Sequence, residues 1–325
     1  ISCSLVGSEM CIRDRYQMMA YYTKREPDLY TDAILKALNG HTMAVELVAK
    51  QMALHQLTSR EMYEKLCAEG ISGDGGKVRQ LKDSTLREKT AFHHMEILFS
   101  VLDLSESEKQ VLRCAALVGA TSMERQYFEV ISDLNEAEIS SLDRLIQSGW
   151  ISEVYQNEMC TLSTHPLIVE VLCEKLRPNS RECKRILIMS GAVASYIEKS
   201  ENAEQRFLSV QWLDHMAHHI QGDDPELSYF FGTMCYPHSS VLSELGEFQD
   251  CNIIAAEALE CFQKNFGELH EQMQWAYLMV GDNYRKAGDK ENAKRYYDLA
   301  IRVLRENDYE TDELEERVEE ILQGM

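Results

Sequence analysis

Apolar residues recur at intervals of three and four over most of the chain, so helices are the expected element almost throughout. From Tyr16 to about Ala68 the stripe runs through Ile34, Leu35 and Leu38, then Val45, Leu47, Val48 and Met52. It breaks at Asn39-Gly40-His41-Thr42, where Gly40 suits a helix C-terminus and Thr42 is expected to cap the helix that follows. Thr58 with Glu61 reads as a capping box opening a short helix through Leu66. Ile71–Lys77 is a Gly-rich loop, and a connecting helix is predicted around Ala91–Leu102. A second capping box, Ser105 with Glu108, leads into the stripe Val111, Leu112, Ala115 and Ala116. Helices are predicted over Met123–Ile131 and Glu136–Ser148. Gly149–Val154 and Met159–Leu162 then read as a β-hairpin turning at Tyr155–Glu158. Three helices and a hairpin are the winged-helix order. A helix over Pro166–Leu176 follows, and everything from Arg181 onward is expected to be helical, with turn signals at Gly222–Pro225, Gly246, Gly267 and Gly288.

Small and large residues alternate in a specific way near the C-terminus. Gly281 and Ala293 allow two helices to approach closely, Tyr284 and Tyr297 fill the space between them, and Gly288 permits the turn. With Ala300 these positions resemble a tetratricopeptide repeat spanning Gln274 to Asn307, although Arg305 stands where the repeat has Pro. A unit starting near Thr233 fits less well, through Gly246, Cys251, Ala255 and Ala258 only. The spacing from Gly246 to Gly288 resembles the longer repeat of kinesin-light-chain-like arrays. The tail, Glu306–Glu320, is rich in acidic residues around Leu314 and Val318 and is expected to be a solvated capping helix. Such a repeat carries no chemistry of its own. Binding of a protein or peptide ligand would fall to the concave face of its first helix, at Leu278, Asp282 and Arg285.

Composition narrows the classes. No apolar run approaches the roughly 20 residues needed to cross a bilayer, and no secretory signal pattern is present, so a cytoplasmic protein is expected. The ten cysteines are scattered without CxxC or zinc-ligand spacing, which predicts reduced thiols and no metal site. The formal charge of −21 opposes nucleic-acid binding. Within the winged-helix segment the bases Lys109, Arg113, Arg125, Arg144, Lys175 and Arg177 face about twice as many acids, and the expected recognition helix offers only Arg144.

The stretch Ser4–Arg15, SLVGSEMCIRDR, shows neither helical nor strand periodicity. It resembles the one-frame translation of a transposon-insertion sequencing adaptor, so residues 1–15 are expected to be an artefact and the chain a C-terminal fragment. The expected organisation is then a helical unit over 16–70, a linker and connecting helix over 71–103, a winged helix over 104–178 and a helical repeat domain over 181–325.

Two strings acquire meaning together. Leu38-Asn39-Gly40-His41-Thr42-Met43-Ala44 resembles the "GLPLA" helix start of NB-ARC-type ATPases of the STAND class, and Leu162-Ser163-Thr164-His165-Pro166-Leu167 lies where those switch proteins carry their "MHD" motif. They stand in family order with repeats behind them. The resemblance implies an ARC-like helical unit and a winged helix closing over ADP, with His165 reaching the β-phosphate and the turn at Gly40 and Thr42 lining the adenine. Thr42 replaces the family's Pro and Pro166 its Asp. No GxxxxGK[ST] loop and no Walker B strand occur in the chain, so it is not expected to be an enzyme; ADP or ATP would belong to the intact parent. The function expected is the regulatory and sensor part of an ADP-binding signalling switch. The alternatives are a nucleotide-free repeat scaffold and a winged-helix transcriptional regulator.

Overall fold

Local hydrogen bonds set many of the helix starts. The structure, a computed structural model, describes residues 12–38, 41–69, 84–156, 159–200, 202–220, 259–260, 263–264, 267–271 and 273–324. Among these the protein is mainly helical, with fourteen helices and three short strands. None of these helices is long and apolar enough to cross a membrane.

The described residues divide into two compact units, one of residues 1–116 and 134–176, the other of 117–133 and 177–325. The first unit holds α1 (Ile12–Thr23), α2 (Leu29–Ala37), α3 (Thr42–Leu54), α4 (Ser59–Ala68) and α5 (Ser84–Ser100). It also holds most of α6 (Glu106–Val118), together with α8 (Ile139–Gln147), β2 (Ser152–Gln156), β3 (Met159–Ser163) and α9 (Pro166–Leu176). Asp28 caps α2, accepting from the Thr31 amide at 2.8 Å. Both predicted capping boxes are present: the Thr58 amide donates to Glu61 at 2.8 Å, and the Ser105 amide to Glu108 at 2.8 Å. Helix α3 packs on α1 and α5, α2 on α4, and α5 on α9. Ile34, Leu38, Val45, Val48, Leu66 and Met95 are fully buried between them. Trp150, also buried, meets Phe99 edge-on at 5.8 Å. Gly149 ends α8 at φ +85°, and a Cβ there would lie 2.9 Å from Lys50 Cδ, so the turn into the hairpin needs glycine twice over. The hairpin is antiparallel, with Ser152 opposite Ser163 and Gln156 opposite Met159.

The second unit holds β1 (Met123–Glu124), α7 (Arg125–Ile131), α10 (Lys184–Glu198) and α11 (Ala203–His219). Near the C-terminus it adds α12 (Met273–Lys286), α13 (Lys290–Glu306) and α14 (Asp312–Gln323). Helix α7 packs on α10, and Arg185 of α10 holds Asp133 through two 2.9 Å bonds. Helices α12 and α13 fold back on one another through a tight turn in which Gly288 has φ +77° and Asp289 caps α13. Tyr277 and Met273 of α12 pack with Ala300 and Val303 of α13, while Ala293 and Tyr297 reach Val318 and Leu322 of α14.

Several expectations need correction. The cap of α3 is His41, not Thr42: His41 has the extended backbone and Thr42 is the first helical residue. Met123 and Glu124 form a strand, so the helix starts at Arg125. The next helix begins at Ile139 instead of Glu136, because the Asn135 side chain takes the amides of Ala137 and Glu138 into a turn. The first hairpin strand starts at Ser152 and runs through Tyr155 and Gln156, which the sequence assigns to the turn. Helix α5 starts at Ser84, earlier than the predicted Ala91. Ile12–Arg15, expected to be outside any element, form the first turn of α1. Residues 1–11, Asn39 and Gly40, the loop at Ile71–Lys77, Asn157 and Glu158, the turns at Gly222–Pro225 and Gly246, and the repeat unit from Thr233 lie outside the described residues.

Candidate functional site

The start of α9 is built around two residues. Pro166 occupies the first helical position, where a missing N–H costs nothing. His165, just before it, turns its Nδ1 back to accept from the Leu167 amide at 3.2 Å. A ring nitrogen that accepts carries no proton, so the proton of neutral His165 sits on Nε2, which is left as a donor at the helix N-terminus. His165 is exposed, yet the neighbouring protein desolvates part of the ring and lowers its pKa below the ordinary histidine value.

The start of α3 repeats the arrangement. His41 Nδ1 accepts from the Ala44 amide at 3.4 Å, which again places the proton on Nε2. Burial lowers the pKa of His41, and the charge of His165 lowers it further. Two helix N-termini, separated by more than a hundred residues in sequence, therefore lie within electrostatic reach of one another inside one compact unit. Thr42, the first residue of α3, is half-buried beside this pair, and Gly40 lies outside the described residues.

A third histidine joins them from α5. His94 is 7% exposed, and its Nδ1 is buried with no hydrogen-bond partner among the described residues. Burial pushes its pKa down to about 4, and the charges of His41 and then His93 act in the same direction. His94 stands next to His93 in the sequence, and no motif marks either of them. The signal that it faces inward is its place beside Met95, Ile97 and Leu98, all buried. His93 points the other way, 3.6 Å from Glu96.

The predicted partner-binding residues occupy α12 of the other unit. Leu278 is half-buried and packs against the cores on both sides of the hairpin. Asp282 accepts from the Tyr297 hydroxyl at 2.7 Å and from Arg285 Nε at 3.3 Å. Burial and Asp282 together raise the Tyr297 pKa. Leu278 and Asp282 thus join the two helices of the hairpin, with Arg285 tied to the same carboxylate. Trp275, on the same helix, is 64% exposed and was not singled out from the sequence.

Several of the bases between residues 104 and 178 sit in ion pairs. Lys109 meets Glu106, Arg125 meets Glu129, Arg144 meets Glu108 and Lys175 meets Glu96, at 2.7 to 3.3 Å. Arg144, the base on α8 that a recognition helix would use, is among them. No protein-family model matches the chain, and no curated protein matches it.

Proposed function

We propose that the chain is the regulatory and sensor part of a nucleotide-controlled switch of the NB-ARC type, with an ARC-like helical unit, a winged helix and tetratricopeptide-like hairpins. One observation carries this reading: His165 and His41, which lie in the two strings that resemble that family's ADP-contacting motifs, are within electrostatic reach of each other at two helix N-termini. Helix N-termini favour anions, and Nε2–H of His165 supplies a directed donor for a phosphate oxygen. Thr42 would then stand near the base. The α12–α13 hairpin would be the arm that receives a protein or peptide. In this reading the chain contributes contacts to a nucleotide and not the hydrolytic machinery, since its sequence holds no phosphate-cradling Gly-rich loop with its lysine.

Calorimetric titration of ADP tests the proposal, using the chain and an N-terminally extended product of the same gene, each with and without His165→Ala. Binding that weakens about tenfold or more in the variant is expected, as for the loss of one charge-assisted hydrogen bond. Absence of ADP binding in the extended product contradicts the switch and favours the nucleotide-free scaffold. A transcriptional role is disfavoured by the ion-paired Arg144, and duplex DNA binding at physiological salt would reinstate it.

A further inference from the structure

We propose that His41, His94 and His165 form a proton-operated latch in the first unit: while all three rings are neutral, the starts of α3 and α9 stay capped and α5 packs on both helices, and protonation releases both helix starts. Three elements supply the rings. His41 precedes α3, His94 lies in α5 and His165 precedes α9, and α5 packs on both of the other helices.

Each cap works only with a neutral ring. The Ala44 and Leu167 amides donate to Nδ1 of His41 and His165, and a proton on either nitrogen converts that acceptor into a donor facing a donor. The resulting cation also sits at the positive end of a helix dipole. A second cation, on the other capping ring, adds like-charge repulsion across the pair. His94 contributes differently. Its ring is buried and its Nδ1 has no partner among the described residues, so an added N–H there meets no acceptor. Relief comes when α5 separates and water reaches the ring.

Several charged groups on the surrounding helices are engaged with partners other than the three rings. On α5, Glu96 lies 2.8 Å from Lys175 of α9 and 3.6 Å from His93. On α3, Glu46 lies 2.8 Å from Lys50 and accepts from Tyr22 of α1. On α4, Glu61 is held by Thr58, and Glu64 by Arg60. Glu170 of α9 is exposed. His165 acts electrostatically on His41, and His41 and His93 act on His94, while His165 itself is shifted by desolvation.

The sign follows from burial. All three rings hold their protons less tightly in the folded protein than in the unfolded chain, so their contribution is complete above about pH 6.5 and is lost as pH falls below it. For His94 alone, lowering the pH from 7.5 to 5.5 multiplies the opening equilibrium constant by about ten. The latch needs no nucleotide, so it stands or falls separately from the switch proposed above.

Hydrogen exchange of the full chain at pH 7.5 and 5.5, corrected for intrinsic rates, reads the Ala44 and Leu167 amides directly. Both are expected to lose about tenfold or more of their protection at the lower pH. Substituting His41→Asn and His165→Asn leaves a cap acceptor that does not titrate, so protection at pH 7.5 should persist while the pH response shrinks. His94→Leu should remove a further part of that response. If His94→Leu does not fold, the two asparagine variants alone decide. Unchanged protection between the two pH values in the wild type, or a full pH response in the asparagine double variant, overturns the latch.

Discussion

A Cβ at position 281 would lie 2.7 Å from Cε1 and 2.8 Å from Cδ1 of Tyr297, closer than carbon atoms tolerate. The ring cannot swing away freely, because Tyr297 is buried and its hydroxyl is held by Asp282 at 2.7 Å. Gly281→Ala sets about 1 kcal/mol of gained helix propensity against about 1–3 kcal/mol of overpacking. Net destabilisation is expected, and Gly281→Val should be worse; urea unfolding measures both. Tyr297→Phe, which removes only the hydroxyl, should cost about 1 kcal/mol in the same assay. That variant also serves as a control for binding. If Asp282 contacts a partner directly, Asp282→Ala should weaken binding while Tyr297→Phe leaves it intact. The Gly281–Tyr297 relation was legible in the sequence because a small residue and a large one recur at fixed spacing on two helices. The histidine cluster was not, since His41, His94 and His165 come from three elements and no local pattern joins them.

The two capping boxes make a matched pair at the level of elements. Glu61 and Thr58 are both exposed at the start of α4, whereas Glu108 at the start of α6 is 8% exposed and also receives Arg144 at 3.3 Å. Thr58→Ala should therefore cost about 1 kcal/mol, within the ordinary range for a lost cap. Ser105→Ala should cost more, because it leaves a buried carboxylate short of a donor. Chemical denaturation of the two variants beside the wild type checks the order, and an equal loss would contradict it. Both boxes could be read from sequence because Ser or Thr followed three residues later by Glu is a local signal. His41 escaped for the converse reason: histidine is not a usual N-cap, and Thr42 offered the expected chemistry one residue later. The strand at Met123–Glu124 is too short for any period to reveal, and the delayed start of α8 depends on the Asn135 side chain competing for backbone amides.

Acid should act on the whole molecule in two waves. The first is the histidine response beginning near pH 6.5, to which His94 contributes on the order of 3 kcal/mol when its pKa falls from 6.5 to about 4. The second comes from carboxylates whose pKa values are lowered in the folded state. Hydrogen bonding to Lys175 lowers Glu96, and Arg185 lowers Asp133. Their contribution is present above the ordinary carboxylate range and is lost as pH falls through the folded values, below about pH 4.5. Circular dichroism across pH 8 to 3 should resolve two losses of stability, and a single loss confined to pH values below 4.5 would remove the first wave. The net charge of −21 adds a long-range term, so moderate salt should raise the midpoint by screening self-repulsion.

Fold class at this scale was legible because helical periodicity extends along nearly all of the described chain. The functional reading rests on two short strings that the fold brings into one unit. The most direct test follows the imidazole resonances of His41 and His165 by NMR during one ADP titration. The account predicts that both move together along a single saturating curve, and that His165→Ala weakens the change at His41. Resonances that remain unmoved, or that respond equally in the variant, would contradict a nucleotide site at these two helix starts.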